Sequence, residues 1–246
     1  MRTYKIEGVI LRTNDFGDAN RVVTVYTKEH GKLELNAYGV RRARSPMSGA
    51  LQMFNHISAE VSRGAQVDTI READVINFYS GLTAELERIG YASIFFEVVN
   101  RMTLPAFPEA GVYKLLAESL PALDRRNARI ASLIGVAQFM EFSGVQLSYF
   151  HCVNCGVQIE GDAAISLADG GTVCMECVDE VSGDVAAYPE NLREAFGKIL
   201  NFDWREETKL NFSQRQIDSA EEILWRYVQS ILGKELNSIR FLKSLV

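Results

Sequence analysis

Four cysteines carry the most specific chemistry in this 246-residue chain. They fall as Cys152-x-x-Cys155 and Cys174-x-x-Cys177, with 18 residues between the pairs. A two-residue gap lets both thiolates of one knuckle reach a single ion. Two such knuckles complete a tetrahedral four-cysteine site, the pattern of a zinc ribbon. Gly156 follows the first knuckle, where the backbone calls for positive φ. Residues 163–167 and 172–173, joined through Ala168-Asp169-Gly170-Gly171, read as a hairpin that delivers the second pair. The expected metal is a structural Zn2+, because four thiolates leave no coordination position for water. A redox dithiol pair or metal-free thiols are the alternatives. His151 adjoins Cys152 but is not needed where four thiolates are present.

Basic side chains form the second group. Lys32, Arg41, Arg42, Arg44 and Arg63 lie in or beside predicted turns, and Arg21 starts a strand. Phe16 and Tyr38 are close to them in sequence. Cations neutralise phosphates and exposed rings stack on unpaired bases, so this set is a candidate nucleic-acid surface. Solvated arginines around a core Tyr38 are the competing reading. Arg125, Arg126 and Arg129 make a further cluster at the expected start of a helix, where positive charge opposes the dipole. They suit an acidic partner peptide or, equally, a solvated turn.

Nothing points to catalysis. The sequence holds no Walker A segment, G-x-G-x-x-G, G-x-S-x-G or H-E-x-x-H. Its three histidines, His30, His56 and His151, lack metal spacing, and its carboxylates are scattered. A binding protein is expected, with no small-molecule substrate.

The elements that must position these groups change period along the chain. Tyr4–Arg12, Arg21–Thr27, Lys32–Tyr38, Phe54–Ser62 and Val67–Ile76 read as short strands separated by turns, with Gly8 marking a bulge or bend. Five such strands suggest a small closed barrel, of OB or SH3-like type. Helical spacing follows over 78–104, Ala110–Leu123, Ile130–Phe142 and Leu192–Leu200, and most clearly over Gln214–Leu232. Ser213 and Gln216 form a possible capping box for the last of these, and Gly233 ends it. The fold class expected is α+β multidomain: a β-barrel over 1–78, then a helical domain over 79–246 with the four-cysteine zinc ribbon inserted at about 150–180.

Apolar residues are 47% of the chain and charged residues 24%, so a soluble packed core is expected. The N-terminus lacks a secretory h-region, and no apolar run reaches the ~18 residues of a spanning helix. These features predict a cytoplasmic protein without membrane association. The net charge of −6 hides an asymmetry: residues 1–79 hold 11 Lys/Arg against 9 Asp/Glu, so the basic excess lies in the first third. That third is the better candidate to meet a polyanion.

Several segments resemble the RecO family. They are Gly8-Val9-Ile10-Leu11, Phe16-Gly17-Asp18-Ala19-Asn20-Arg21, Thr27-Lys28-Glu29-His30-Gly31-Lys32 and Tyr38-Gly39-Val40-Arg41-Arg42. Ser48-Gly49, Leu51-Gln52-Met53-Phe54, Phe96-Glu97, Phe139-Met140-Glu141-Phe142-Ser143-Gly144 and the cysteine ribbon continue the order. The resemblance implies an N-terminal OB-fold, a helical domain and a zinc ribbon. It implies a bacterial, nucleoid-associated DNA repair and recombination protein that binds single- and double-stranded DNA and anneals complementary strands. With RecR, such a protein helps load RecA onto DNA coated by single-strand-binding protein. Arg21, Lys32, Arg41, Arg42 and Arg44 become the DNA contacts. Arg125, Arg126 and Arg129, beside Leu116 and Leu120, become the seat for the C-terminal tail of single-strand-binding protein. An RNA-binding or transcription-associated OB-fold/zinc-ribbon module, a zinc-stabilised nuclease and a non-catalytic adaptor are the alternatives.

Overall fold

The computed structural model describes residues 2–181, 183–206 and 210–245. Period-two alternation makes the first part strands: β1 (Thr3–Phe16), β2 (Asn20–Thr27), β3 (Gly31–Ala37), β4 (His56–Ser62) and β5 (Thr69–Asn77). They close as a barrel in the order β1-β2-β3-β5-β4, with β3 and β5 parallel and the other neighbours antiparallel. This is the five-stranded OB arrangement and removes the SH3-like alternative. Ile6, Ile10, Val23, Val25, Leu35, Ile57, Val61 and Ile70 fill the interior. Val40 and Leu51, from the long β3–β4 connection, join the same core.

β1 runs four residues past its expected end at Arg12. A register shift between Ile10 and Arg12 bends the strand, and pairing resumes through Phe16↔Asn20. Gly8 is required for a different reason from a bulge: a Cβ there would lie 2.6 Å from Val25 Cγ1 and 2.7 Å from the Tyr26 carbonyl oxygen.

The helices are α1 (Ser80–Ala84), α2 (Leu86–Met102), α3 (Ala110–Arg125), α4 (Ala128–Phe142), α5 (Glu190–Leu200), α6 (Gln214–Leu232) and α7 (Asn237–Lys243). Between α4 and α5, β6 (Ala163–Ser166), β7 (Gly171–Val173) and β8 (Val185–Tyr188) form a sheet ordered β7-β6-β8. Ser213 and Gln216 make the capping box of α6, and Gly233 ends it at φ 63°. Among the described residues no helix is long and apolar enough to cross a membrane.

Packing divides the chain into two compact units, residues 1–132 with 236–246, and 133–235. The expected division at residue 78 marks the change of period; by packing, α1, α2, α3 and α7 belong with the barrel. Glu97 of α2 clasps α7. Its carboxylate accepts from the backbone N–H groups of Asn237 (3.1 Å) and Ser238 (2.8 Å) and from the Ser238 hydroxyl (2.7 Å). An acid at a helix N-terminus satisfies free donors and complements the dipole. In the second unit, the Gln138 amide donates to the Phe202 carbonyl (2.8 Å) and accepts from Trp204 Nε1 (2.7 Å). Tyr149 stacks on Phe196 at 4.4 Å.

α3 is tied to the barrel through polar side chains. The Tyr113 hydroxyl donates to Glu7 Oε1 (2.6 Å), and His56 Nε2 lies 3.0 Å from the same hydroxyl and 3.4 Å from Glu7. The Tyr113 hydrogen bond holds the Glu7 carboxyl below the ordinary carboxylate range. Burial lowers the His56 pKa, against the opposing pull of Glu7. The folded state therefore favours neutral His56, and stability falls as pH drops from about 6.5 towards the lower folded value. Melting temperature is expected to decline as pH falls below about 6.5, and His56→Gln to flatten that decline in a pH series of thermal melts.

Candidate nucleic-acid interface and metal centre

Tyr38 stands 56% exposed just after β3. Its ring meets Phe16, at the end of β1, edge-on at 6.1 Å. The following segment folds back on the β1–β2 turn: Arg41 N–H donates to the Ala19 carbonyl (3.0 Å), and Gly39 N–H donates to Asn20 Oδ1 (3.0 Å). Arg41 is thereby held against the turn that follows Phe16, and Arg42 and Arg44 continue the same segment, all three exposed. Arg41 Nε pairs with Asp15 at 3.1 Å and remains 39% exposed. Arg42 and Arg44 have no ion pair among the described residues.

The β4–β5 loop borders the same barrel end, because Asn36 N–H of β3 donates to the Asp68 carbonyl (2.9 Å). There the Arg63 guanidinium lies 4.5 Å over the Tyr4 ring, while the Tyr4 hydroxyl donates to Asp68 Oδ2 (2.6 Å). Burial, then the Asp68 hydrogen bond, raises the Tyr4 pKa, so Tyr4 is a neutral ring. OB-folds bind oligonucleotides on the β2–β3 face between these two loops. Exposed Arg63 extends the surface beyond the residues that carry the family resemblance, and Tyr4, packed against the core and His30, holds it in place. Their signal in sequence was only Arg63 in a turn.

The structure gives Arg21 and Lys32 other work. Arg21 has the strand parity of Val23 and Val25, which fill the barrel. Its side chain is 14% exposed and donates to Asp15 Oδ1 (2.8 Å) and to the Leu51 carbonyl (2.9 Å). Lys32 points outward on β3 but lies under residues 105–109: Ala106 N–H donates to the Lys32 carbonyl, and Glu109 N–H to the Tyr26 hydroxyl. Its ammonium donates to the carbonyls of Asn100 (2.5 Å) and Thr103 (2.6 Å), capping the C-terminal end of α2. Burial lowers its pKa. Lys32→Ala is expected to cost about 2–3 kcal/mol, as two carbonyls lose a charged donor. It should leave the salt dependence of DNA binding unchanged; thermal melts and a salt titration of the variant separate the two effects.

The second arginine cluster differs from expectation. α3 extends to Arg125, so that arginine sits in a last turn, where it complements the dipole. Arg126 is the C-cap, and Arg129 lies in the first turn of α4 with its guanidinium 5.9 Å from the Tyr91 ring centre. Leu116 and Leu120 are fully buried and offer no apolar seat. What the fold does present is a pocket of about 190 Å3 lined by Glu85, Glu87, Arg88, Tyr91, Asn127, Ala128 and Arg129.

In the ribbon, the four cysteine sulfurs lie within 4.8 Å of one another, so together they could hold a metal ion. Gly156 has φ 75°, and its N–H donates to the Cys152 carbonyl (2.9 Å), closing the first knuckle. Cys155 Sγ and Cys174 Sγ are 3.8 Å apart. A tetrahedron of thiolates about 2.3 Å from zinc has an edge of about 3.8 Å, whereas a disulfide requires about 2.05 Å. Burial works against ionising Cys152, but the backbone N–H groups of Cys155, Cys174 and Asn154 hold its thiol down to about 6. Cys177 is pushed up to about 12: the Asn154 side chain pulls it down, but hydrogen bonding with Cys174, burial and hydrogen bonding with Cys155 and Cys152 together outweigh that. Thiols this close cannot all ionise on their own, and a divalent cation relieves that repulsion.

Comparison with known proteins places the chain. The model for "Recombination protein O N terminal" matches residues 1–79, and that for "Recombination protein O C terminal" matches residues 84–240. The chain belongs to the recombination protein O family. Among its relatives, a "DNA repair protein RecO" of Symbiobacterium thermophilum is 28% identical over all of this chain and 98% of that protein. The Bacillus subtilis protein of the same name is 27% identical over 98% of this chain and 94% of its own length. That of Bifidobacterium animalis subsp. lactis is 29% identical over 98% of this chain and all of its own length.

Proposed function

We propose that this chain is a non-catalytic DNA repair and recombination mediator of the bacterial cytoplasm and nucleoid. It binds single- and double-stranded DNA, anneals complementary strands and, with RecR, helps load RecA onto DNA coated by single-strand-binding protein. Residues 1–78 are the nucleic-acid-binding domain. The observation that carries this reading is the exposed Tyr38 ring, met edge-on by half-buried Phe16, in the segment that also presents exposed Arg41, Arg42 and Arg44 at one end of the barrel. Rings hold unstacked bases while guanidinium groups neutralise phosphates, which lets two strands be held close enough to pair.

The four cysteines hold a structural Zn2+. This chain's part is to supply four thiolates on two rigid knuckles; the ion supplies the charge that draws them together. The tail of single-strand-binding protein is acidic and apolar, and the pocket beside Arg129, with Arg125 and Arg126 near it, is its proposed seat.

Annealing of two complementary labelled oligonucleotides tests the reading. The wild-type chain is expected to accelerate it at low salt, and Tyr38→Ala to slow it several-fold, since one stacked base contributes about 1–3 kcal/mol. No acceleration by the wild type, alone or with RecR, overturns it in favour of an adaptor. A preference for RNA of equal sequence supports the RNA-binding alternative.

A further inference from the structure

The three-stranded ribbon sheet has one engaged side and one free side. Outside β7, Ser148 pairs with Gly171, and its carbonyl accepts from Thr172 N–H (2.7 Å). Outside β8, no backbone hydrogen bond to another segment occurs among the described residues. Val185, Ala186 and Ala187 of β8 are all exposed. Their small side chains put no bulk in the way of an incoming chain. Free edges are ordinarily guarded by shortness, lysine, proline or a bulge; β8 is short and Pro189 follows it, but along Val185–Tyr188 it carries no lysine, no proline and no bulge.

The surrounding charge selects what could fill that edge. Residues 130–192 contain no lysine or arginine, while residues 152–188 carry seven acidic side chains. Asp184 directly precedes β8 and is exposed, as is Glu160 ahead of β6. The first cation after the ribbon, Arg193, is 10% exposed and engaged by the Gly161 carbonyl and Glu190. Nucleic acid is a polyanion and is repelled here. A second copy would bring two equally acidic edges together. The complement that remains is cationic.

We propose that the free edge of β8 is a docking strand for an extended basic segment of a protein partner, taken up by β-strand addition. Backbone hydrogen bonds to β8 supply affinity, and the acidic rim selects lysine- or arginine-bearing segments. The ribbon is then a protein-binding module whose charge also directs DNA elsewhere. This stands apart from the DNA-binding reading of the barrel and does not depend on it.

The test uses the full chain and a labelled ten-residue peptide alternating lysine with valine. A control of equal charge carries proline in place of each valine and cannot complete a strand ladder. The alternating peptide is expected to bind at least fivefold tighter than the proline control, with added amide-exchange protection confined to residues 184–188. Asp184→Lys/Glu160→Lys is expected to weaken it at least fivefold. Equal binding of both peptides, protection outside β8, or undiminished binding by a metal-retaining double variant overturns the proposal. So does self-association, or crosslinking of single-stranded DNA, at β8. If the double variant loses its metal, the exchange map of the wild-type chain decides alone.

Discussion

Cys155→Ser or Cys177→Ser is expected to abolish metal binding and unfold the ribbon while leaving the barrel folded. The ribbon's own apolar cluster is small: Ile159, Ala163 and Val173 with two of the cysteines. Burial of so few groups, each contributing about 1.5–3 kcal/mol, does not offset the ordering of some thirty residues at about 1–2 kcal/mol each. Structural zinc contributes about 10–16 kcal/mol in small zinc-dependent units, more than all of the ribbon's apolar burial. Metal analysis should find one zinc per wild-type chain and none in either variant. Hydrogen exchange should show lost protection over residues 148–181 with the barrel strands unchanged. Full protection in a metal-free variant would mean that the ribbon stands without its ion.

The second large effect concerns Arg41 and Arg42. Arg41→Glu/Arg42→Glu is expected to weaken single-stranded DNA binding at least tenfold at low salt, equivalent to about 1.4 kcal/mol. Each phosphate neutralised on a single strand contributes about 0.7 to the slope of log K against log salt. Two lost contacts should lower that slope by about 1.4. Both side chains are exposed and neither supports the core, so melting temperature should hardly move. That separates them from Lys32, whose removal does the reverse.

The contrast shows what the sequence made legible. Period-two alternation identified the strands, and the Cys-x-x-Cys spacing identified the two knuckles whose sulfurs come together, because both rest on local geometry. Arg21 could have been read correctly, since its parity with Val23 and Val25 places it on the barrel interior. Lys32 could not: its partners are carbonyls of α2, about 70 positions away in the chain, and no local pattern announces such a contact. Leu116 and Leu120 have helical spacing that suits a core face as well as a binding face, and the fold uses them as core. α7 and β8 escaped detection because they are short, and β8 has only Val185, two alanines and Tyr188 to signal a strand. α7 depends on Glu97, some 140 positions earlier.

The proposal that the arginines beside Tyr38 make the barrel end a DNA-binding surface has a direct test. Labelled single-stranded DNA is titrated with the full chain at several salt concentrations, beside Arg41→Glu/Arg42→Glu. The expected result is wild-type affinity that falls as salt rises, with a double variant both weaker and less salt-dependent. Equal affinity and equal slope for the two proteins would contradict the claim and place the DNA-binding surface elsewhere on the chain.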